Sequence, residues 1–212
     1  MQIFYFALLV LLAFWLGACP FSLWIGKAFL HKDIRTYGDG NPGAYNVMRA
    51  GGRWLFALAL VADIGKGAPF VALAHYHFGL PEAMVMAVGL SAILGHAFSP
   101  LLGFVGGKSL AVTGGVLAAL PQHEILISVL IFMFIAFLII DIDAWRVVFA
   151  LSATTIYLLI TKGFSLEPLF IICIMAILAA KHFYDLRTTR PKFRGKLITW
   201  LHDRRAAHVS RQ

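Results

Sequence analysis

Charge is what this chain has least of. Asp, Glu, Lys and Arg make up 13% of its 212 residues against 60% hydrophobic residues, and the mean hydropathy is +0.83. That excludes an ordinary water-soluble domain, in which about a quarter of residues are charged. Acidic residues are scarcer still, 10 against 18 Lys and Arg, which leaves a net charge of +8. With no separate soluble basic segment to hold a duplex, the excess excludes a nucleic-acid binder and points to anionic lipid headgroups. Cysteine is limited to Cys19 and Cys173, both in apolar runs. A thiol in such a setting is a small packing residue, so neither a disulfide framework nor a thiolate metal site is expected. Low-complexity linkers, fixed-period repeats and a second soluble domain are also missing. No Lys or Arg precedes the first apolar run, which continues past Cys19 through Phe21, Leu23 and Trp24. Although "LGAC" (Leu16 to Cys19) has the look of a signal or lipoprotein cleavage site, a retained first helix is therefore expected.

What the chain does have is apolar length. A helix rising about 1.5 Å per residue needs roughly 20 residues to cross a hydrocarbon core of about 30 Å. The blocks Ile3 to Ile25, Trp54 to Phe78, Ala83 to Leu102, Ser109 to Leu120, Ile125 to Ile140, Val147 to Ile160 and Pro168 to Ala180 predict an all-α polytopic membrane protein with about seven transmembrane helices. Several blocks are short, as broken or tilted helices are. Basic residues cluster in the first loop (Lys27, Lys32, Arg35, Arg49, Arg53) and in the tail (from Lys181 through Arg187, Arg190, Lys192 and Arg194 to Arg211). The positive-inside rule then places both in the cytoplasm, with the N-terminus outside and the C-terminus cytoplasmic. The loops Phe104 to Lys108 and Asp141 to Arg146 join them. The turns His77 to Glu82 and Pro121 to Glu124, which lack Lys and Arg, fall outside. One membrane-embedded domain over residues 1–186 and a basic cytoplasmic tail over 187–212 are expected. In the tail, "KLITWLHDRR" reads either as a surface-lying amphipathic piece, with Leu197, Ile198, Trp200 and Leu201 on its apolar side, or as a disordered cationic end.

Three polar features interrupt the apolar pattern. The first is "GDGNPGAYNVMR", Gly38 to Arg49. Glycines allow backbone amides to converge on an anion, Asn41 and Asn46 add donors and acceptors, and Arg49 offers a forked partner for phosphate. A plain connecting turn remains the alternative. The second is "DIGKG", where Asp63 and Lys66 lie three residues apart on one helical face. Ionisable groups inside a span point to function, although an internal pair that only fixes packing is an equal alternative. A transporter's coupling pair is disfavoured, since no inverted repeat accompanies it. The third is "GHAFSPLLGFVGGKSLAVTGG", Gly95 to Gly115. There Gly106, Gly107 and Lys108 precede a new helix, an arrangement suited to a phosphoryl group or simply an inner-face loop lysine. His96 reads as a packing residue or as a ligand contact.

Taken together and in order, these residues resemble the PlsY family, the bacterial membrane-embedded acyl-phosphate:glycerol-3-phosphate acyltransferases. The family's G-S-G-N-x-G-A-T-N-x-x-R motif corresponds to Gly38 through Arg49, and its D-x-x-K-G element to Asp63 through Gly67. Its G-H-x-x-P-x-x-x-G-F-x-G-G-K-G run corresponds to Gly95, His96, Gly103, Phe104, Gly106, Gly107 and Lys108, with Pro100 one position late. The resemblance implies a seven-helix, monomeric enzyme of the inner membrane with its active site facing the cytoplasm. It would move an acyl group from acyl phosphate to the 1-hydroxyl of glycerol 3-phosphate, giving lysophosphatidic acid, without cofactor, metal site or covalent acyl-enzyme. It makes Asp39, Lys108 and His182 the catalytic candidates. Gly38, Gly40, Asn41, Gly43, Asn46, Arg49, Lys66, His96, Gly106, Gly107 and Asp185 become the substrate-binding candidates.

The departures from the pattern are specific. Asp39 and Tyr45 stand where the family has serine and threonine, Asp185 where it has an asparagine, and Phe149 where it has a serine, with Ser152 nearby. Val105 and Ser109 replace a lysine and a glycine beside the retained Gly106-Gly107-Lys108. A carboxylate about 4 Å from a phosphate oxygen costs on the order of 4 kcal/mol at an effective dielectric near 20. Three readings follow. Asp39 pairs with Arg49 or Lys108, or acts as a base, and ordinary transfer survives; the acceptor is a less anionic molecule; or the chain is a catalytically inactive lipid-binding component.

Overall fold

The computed structural model describes residues 1–193, so the Lys196–Arg205 stretch and most of the basic tail lie outside the described residues. Helix α1 (Gln2–Ala18) and helix α2 (Phe21–Leu30) are separated at Cys19-Pro20. Proline brings no N–H, so carbonyls of the preceding turn need other donors. Ser99 Oγ donates to Ala18 O at 2.6 Å, and Lys66 Nζ donates to Cys19 O at 2.7 Å. The first loop then makes a 3₁₀ turn (Ile34–Thr36) and the short helix α3 (Ala44–Arg49). Helices α4 (Arg53–Gly65) and α5 (Pro69–Ala72), with a π-turn at Leu73–His77, form the next run. They are followed by α6 (Glu82–Ala97), a 3₁₀ turn (Pro100–Leu102), α7 (Leu110–Ala119), α8 (His123–Ile139), α9 (Asp143–Lys162), α10 (Leu166–Lys181) and α11 (Phe183–Thr188). Among the described residues there is no strand, only an isolated bridge between Ile140 and Phe193.

Each of the apolar blocks folds as helix. Four runs, Gln2–Leu30, Arg53–His77, Glu82–Leu102 and Asp143–Lys162, are long and apolar enough to cross a membrane, whereas α7 and α8 are shorter. Helix α6 is central, packing on α1, α7 and α10. Small and hydroxyl residues let it approach α1: a Cβ at Gly17 would lie 2.2 Å from Ala92 O, one at Gly95 would lie 2.0 Å from Phe14 O, and Ser91 Oγ donates to Val10 O at 2.5 Å. The core continues through Leu117, Leu151, Ile171, Ile174 and Leu178, all fully buried. By contrast, α8 exposes Leu130, Ile131, Phe134, Phe137 and Leu138. In water such a contiguous apolar face would aggregate; in lipid it is the solvated surface. This is an integral membrane protein.

Polar contacts sort by end of the bundle. At one end Gln122 Nε2 donates to Glu82 Oε1 at 2.9 Å, and Lys162 pairs with Glu124 and, at 3.0 Å, with Glu167. These residues belong to the turns that lack basic residues and to the α9–α10 connection. At the opposite ends of α9 and α10 sit Asp143 and His182, together with the start of α7 and the first loop.

Candidate active site

The first loop reaches its shape through a left-handed turn. Gly38 and Gly40 have φ of +57° and +72°, a region that side chains rarely adopt. A Cβ at Gly38 would lie 1.9 Å from Arg49 Nη1, so only glycine lets the guanidinium fold back over the turn. Arg49 Nη1 donates to Asn46 Oδ1 at 3.1 Å, and its guanidinium lies 4.8 Å from the Tyr45 ring centre. Asn46, 1% exposed, donates through Nδ2 to Asn41 O at 2.8 Å and to Asp39 Oδ1 at 3.0 Å. The Asn41 backbone N–H closes the turn on the same oxygen at 3.3 Å. Gly43 precedes α3 at its N-cap.

The second loop supplies Lys108. Gly106 and Gly107 lie against His96: the Gly107 N–H donates to His96 O at 3.0 Å, and a Cβ at Gly107 would meet His96 Nε2 at 2.1 Å. The loop is thereby seated on the end of α6 and aims Lys108 at the first loop. Lys108 Nζ lies 3.0 Å from Asp39 Oδ2 and 3.1 Å from Asp185 Oδ2, while Asp39 Oδ1 is 3.5 Å from Arg49 Nη1. On the far side, His182 Nδ1 is 3.7 Å from the same Asp185 oxygen. The result is a continuous chain of contacts, Arg49–Asn46–Asp39–Lys108–Asp185–His182, contributed by three separate segments.

The charges in this chain sustain one another. Partial burial pushes the Asp39 carboxyl up, but the Lys108 ammonium and the Asn41 and Asn46 donors outweigh it and hold the group below its ordinary range. Burial likewise pushes Lys108 down, and Asp39 and Asp185 more than compensate, raising it. Burial and then Lys108 push the His182 imidazole below its ordinary value, against the opposite pull of Asp185 and Asp143. Two cations and two carboxylates thus meet in one rim, with a neutral histidine behind them. Alongside, a cleft of about 340 Å³ between α9, α10 and α11 is lined by apolar side chains, including Trp145, Ile172, Met175 and Leu186. Leu186 directly follows Asp185.

The other candidates lie elsewhere. Lys66 is not part of this chain of contacts: its side chain is 0% exposed, its ammonium forms an ion pair with Asp63 Oδ1 at 2.8 Å and donates to Cys19 O at 2.7 Å, while Ser22 Oγ donates to Asp63 Oδ2 at 2.5 Å. Those contacts tie α4 to the α1–α2 break. His96 is buried beneath Gly107, its carbonyl accepting from the Gly107 N–H and its ring packed against the loop backbone. Ser152 Oγ donates to Met175 Sδ at 3.4 Å and Phe149 is half-exposed on α9, so neither joins the cluster. Sequence reasoning did not single out Tyr45 as a support for Arg49, although the four-residue spacing on one helix was a usable signal. Nor did it find Trp145 and Leu186, whose partners are remote in sequence.

Known proteins resemble this chain in sequence and in fold. A family model described as glycerol-3-phosphate acyltransferase matches residues 7–190. The glycerol-3-phosphate acyltransferase of Geotalea daltonii is 36% identical over 189 residues, covering 86% of this chain and 92% of that protein. That of Neisseria meningitidis serogroup C is 39% identical over 131 residues, 60% of this chain and 66% of the relative, just under two thirds of its length. Crystal structures of PlsY, an integral membrane glycerol 3-phosphate acyltransferase, share the fold. Its glycerol 3-phosphate form is 27% identical with a TM-score of 0.77, covering 92% of this chain and 98% of PlsY. Its lysophosphatidic acid form is 28% identical with a TM-score of 0.75, covering 91% and 96%. With the family model spanning nearly the whole helical body, this chain belongs to the glycerol-3-phosphate acyltransferase family.

Proposed function

We propose that this protein transfers an acyl group from acyl phosphate to the 1-hydroxyl of glycerol 3-phosphate, releasing phosphate and forming lysophosphatidic acid for phospholipid synthesis. The observation that carries this reading is the meeting of Arg49 and Lys108, from loops far apart in sequence, at one rim beside an apolar cleft. Both substrates carry phosphate, and one carries a fatty chain. An ammonium has three donors and a guanidinium five. Asp39 and Asp185 occupy two directions on Lys108, and Asn46 takes one donor of Arg49. Donors therefore remain on both cations for phosphate oxygens. The apolar cleft would receive the acyl tail. Rate enhancement would come from holding hydroxyl and carbonyl in reacting geometry and from stabilising charge on the departing phosphate.

The basic first loop supports a cytoplasmic face for this rim and an inner-membrane location, with residues 1–186 as the catalytic body, 187–212 as a headgroup-facing tail and the monomer as the working unit. Purified protein supplied with acyl phosphate and glycerol 3-phosphate should form lysophosphatidic acid, and Lys108→Ala and Arg49→Ala should each lose it. Full turnover in both variants would refute the assignment. The two carboxylates on Lys108 favour a second reading, an acceptor with less negative charge; glycerol outcompeting glycerol 3-phosphate in the same assay would select it.

A further inference from the structure

Ser109 opens α7 in the left-handed region, at φ +62° and ψ +5°, a conformation that glycine takes freely and other residues at a cost. A serine at the start of a helix ordinarily accepts from the backbone of the first turn, and this one makes no such bond. Its hydroxyl turns away from its own helix and donates to Ile93 O, in α6, at 3.2 Å. Its carbonyl accepts twice, from the Thr113 N–H at 3.0 Å and from Thr113 Oγ1 at 2.9 Å, and the residue is 2% exposed. A strained residue persists where its surroundings over-determine it, and such residues gather where position matters. We propose that Ser109 is a positioning residue for Lys108: its hydroxyl fastens the backbone on one side of the lysine to α6 and so keeps the ammonium aimed at phosphate. The proposal rests on the acyl-transfer reading above.

The lysine is bracketed. On one side the Gly107 N–H donates to His96 O at 3.0 Å, and on the other the Ser109 hydroxyl holds Ile93 O, so both neighbours of Lys108 are tied to the end of α6. The frame around them is close-packed: a Cβ at Gly106 would meet His96 O at 2.0 Å, and α7 lies backbone to backbone on α4, where a Cβ at Gly115 would meet Ile64 O at 1.9 Å. At the far end of the side chain, Nζ is held by Asp39 at 3.0 Å and by Asp185 at 3.1 Å. Those are the contacts that a phosphate disturbs, because its oxygens compete with the carboxylates for the same ammonium. During turnover the direction of the side chain therefore depends on its backbone, and misplacing a reacting or charge-bearing group by about 1 Å can cost on the order of 100-fold in rate. A glycine at position 109 would remove the strain and the fastener together; an alanine would remove the fastener alone.

Those two variants of the full chain, in detergent micelles, separate the hydroxyl from the backbone. Ser109→Gly and Ser109→Ala should both lower kcat/KM for lysophosphatidic acid formation by ~10-fold or more, and by similar factors, while Ser109→Gly melts at the higher temperature of the two. A role confined to backbone conformation would leave Ser109→Gly as active as the unmutated protein, so a loss of less than about threefold in that variant would overturn the proposal. Hydrogen–deuterium exchange supplies a readout that needs no substrate: the Gly107 amide, bonded to His96 O, should exchange faster in both variants. Unchanged exchange in both would show that the hydroxyl does not fasten the loop, whatever reaction the protein carries out. Absence of lysophosphatidic acid from the unmutated protein would reject the acyl-transfer reading instead, leaving the exchange to decide on Ser109.

Discussion

Replacing Asp39 by serine should tighten the binding of phosphorylated substrate. Asp39 Oδ2 sits 3.0 Å from Lys108 Nζ, so a phosphate oxygen that accepts from the same ammonium must come close to that carboxylate. At about 4 Å and an effective dielectric near 20, each such charge pair repels by about 4 kcal/mol. That figure is a ceiling, because the Asp39 side chain is 42% exposed and water screens it. A net gain of about 1–2 kcal/mol survives the discount, a drop in KM of roughly 5- to 30-fold. Serine removes the charge together with the acceptor for the Asn41 N–H and the Asn46 side chain. Asp39→Asn is the companion variant, since it keeps an acceptor for both while also removing the charge. Initial rates of lysophosphatidic acid formation, varied separately in each substrate, measure the effect. Both variants should lower KM for at least one substrate, and the advantage should shrink as salt is raised. A KM that rises in both variants, with thermal stability unchanged, would show that Asp39 organises the loop for substrate and that its charge does not oppose binding.

Three further outcomes follow from the same contacts. Gly38→Ala places a methyl group where Arg49 Nη1 now lies and forces a left-handed φ on an L-residue, so KM should rise, with about 1 kcal/mol lost from a detergent melt; unchanged kinetics would mean that Arg49 does not touch substrate. Asp63→Leu strands the Lys66 ammonium in a fully buried site and should cost about 3–5 kcal/mol, whereas the double replacement Asp63→Leu/Lys66→Leu should be milder than that single change; a double variant as unstable as the single one would refute the internal-pair reading. Stability should also fall on acidification in two stages. The folded state holds His182 below its ordinary value of 6.5, so below about that pH the unfolded chain takes up a proton that the folded chain resists. Asp39, depressed from 3.8, adds to a second loss as pH falls below the ordinary carboxylate range, a loss it shares with Asp33, Glu124 and Glu167, and melts of Asp39→Asn should show that second stage reduced.

The helical body was legible because lipid imposes a simple test, apolar length, and each apolar block meets it well enough to fold as helix. Length does not reveal breaks. The Cys19-Pro20 interruption is visible as a proline, but nothing local announces that Lys66 and Ser99 satisfy the carbonyls beside it. Lys66 exposes the same limit. Its three-residue spacing from Asp63 was legible as a pair on one face, whereas its burial depends on α2 and on the end of α1 closing over it. The polar rim divides in a similar way. Gly38 to Arg49 could be read as one unit, since its bonds run between neighbours that turn chemistry and helical spacing bring together.

Lys108 and Asp185, by contrast, are 77 residues apart, and only the packing of α7 and α10 around α6 brings them into contact. For that reason the two aspartates that depart from the family pattern look like independent faults in the sequence and become one feature in space. Both lean on the same ammonium, and one of them also faces the imidazole. A single change that inserted one carboxylate into a phosphate site would be expected to weaken the site. Two carboxylates sharing Lys108, with Arg49 held by Asn46 and Tyr45, instead make a rim whose own side-chain charges balance. Such a rim retains donors for phosphate, but the incoming anion must compete with charges already in place.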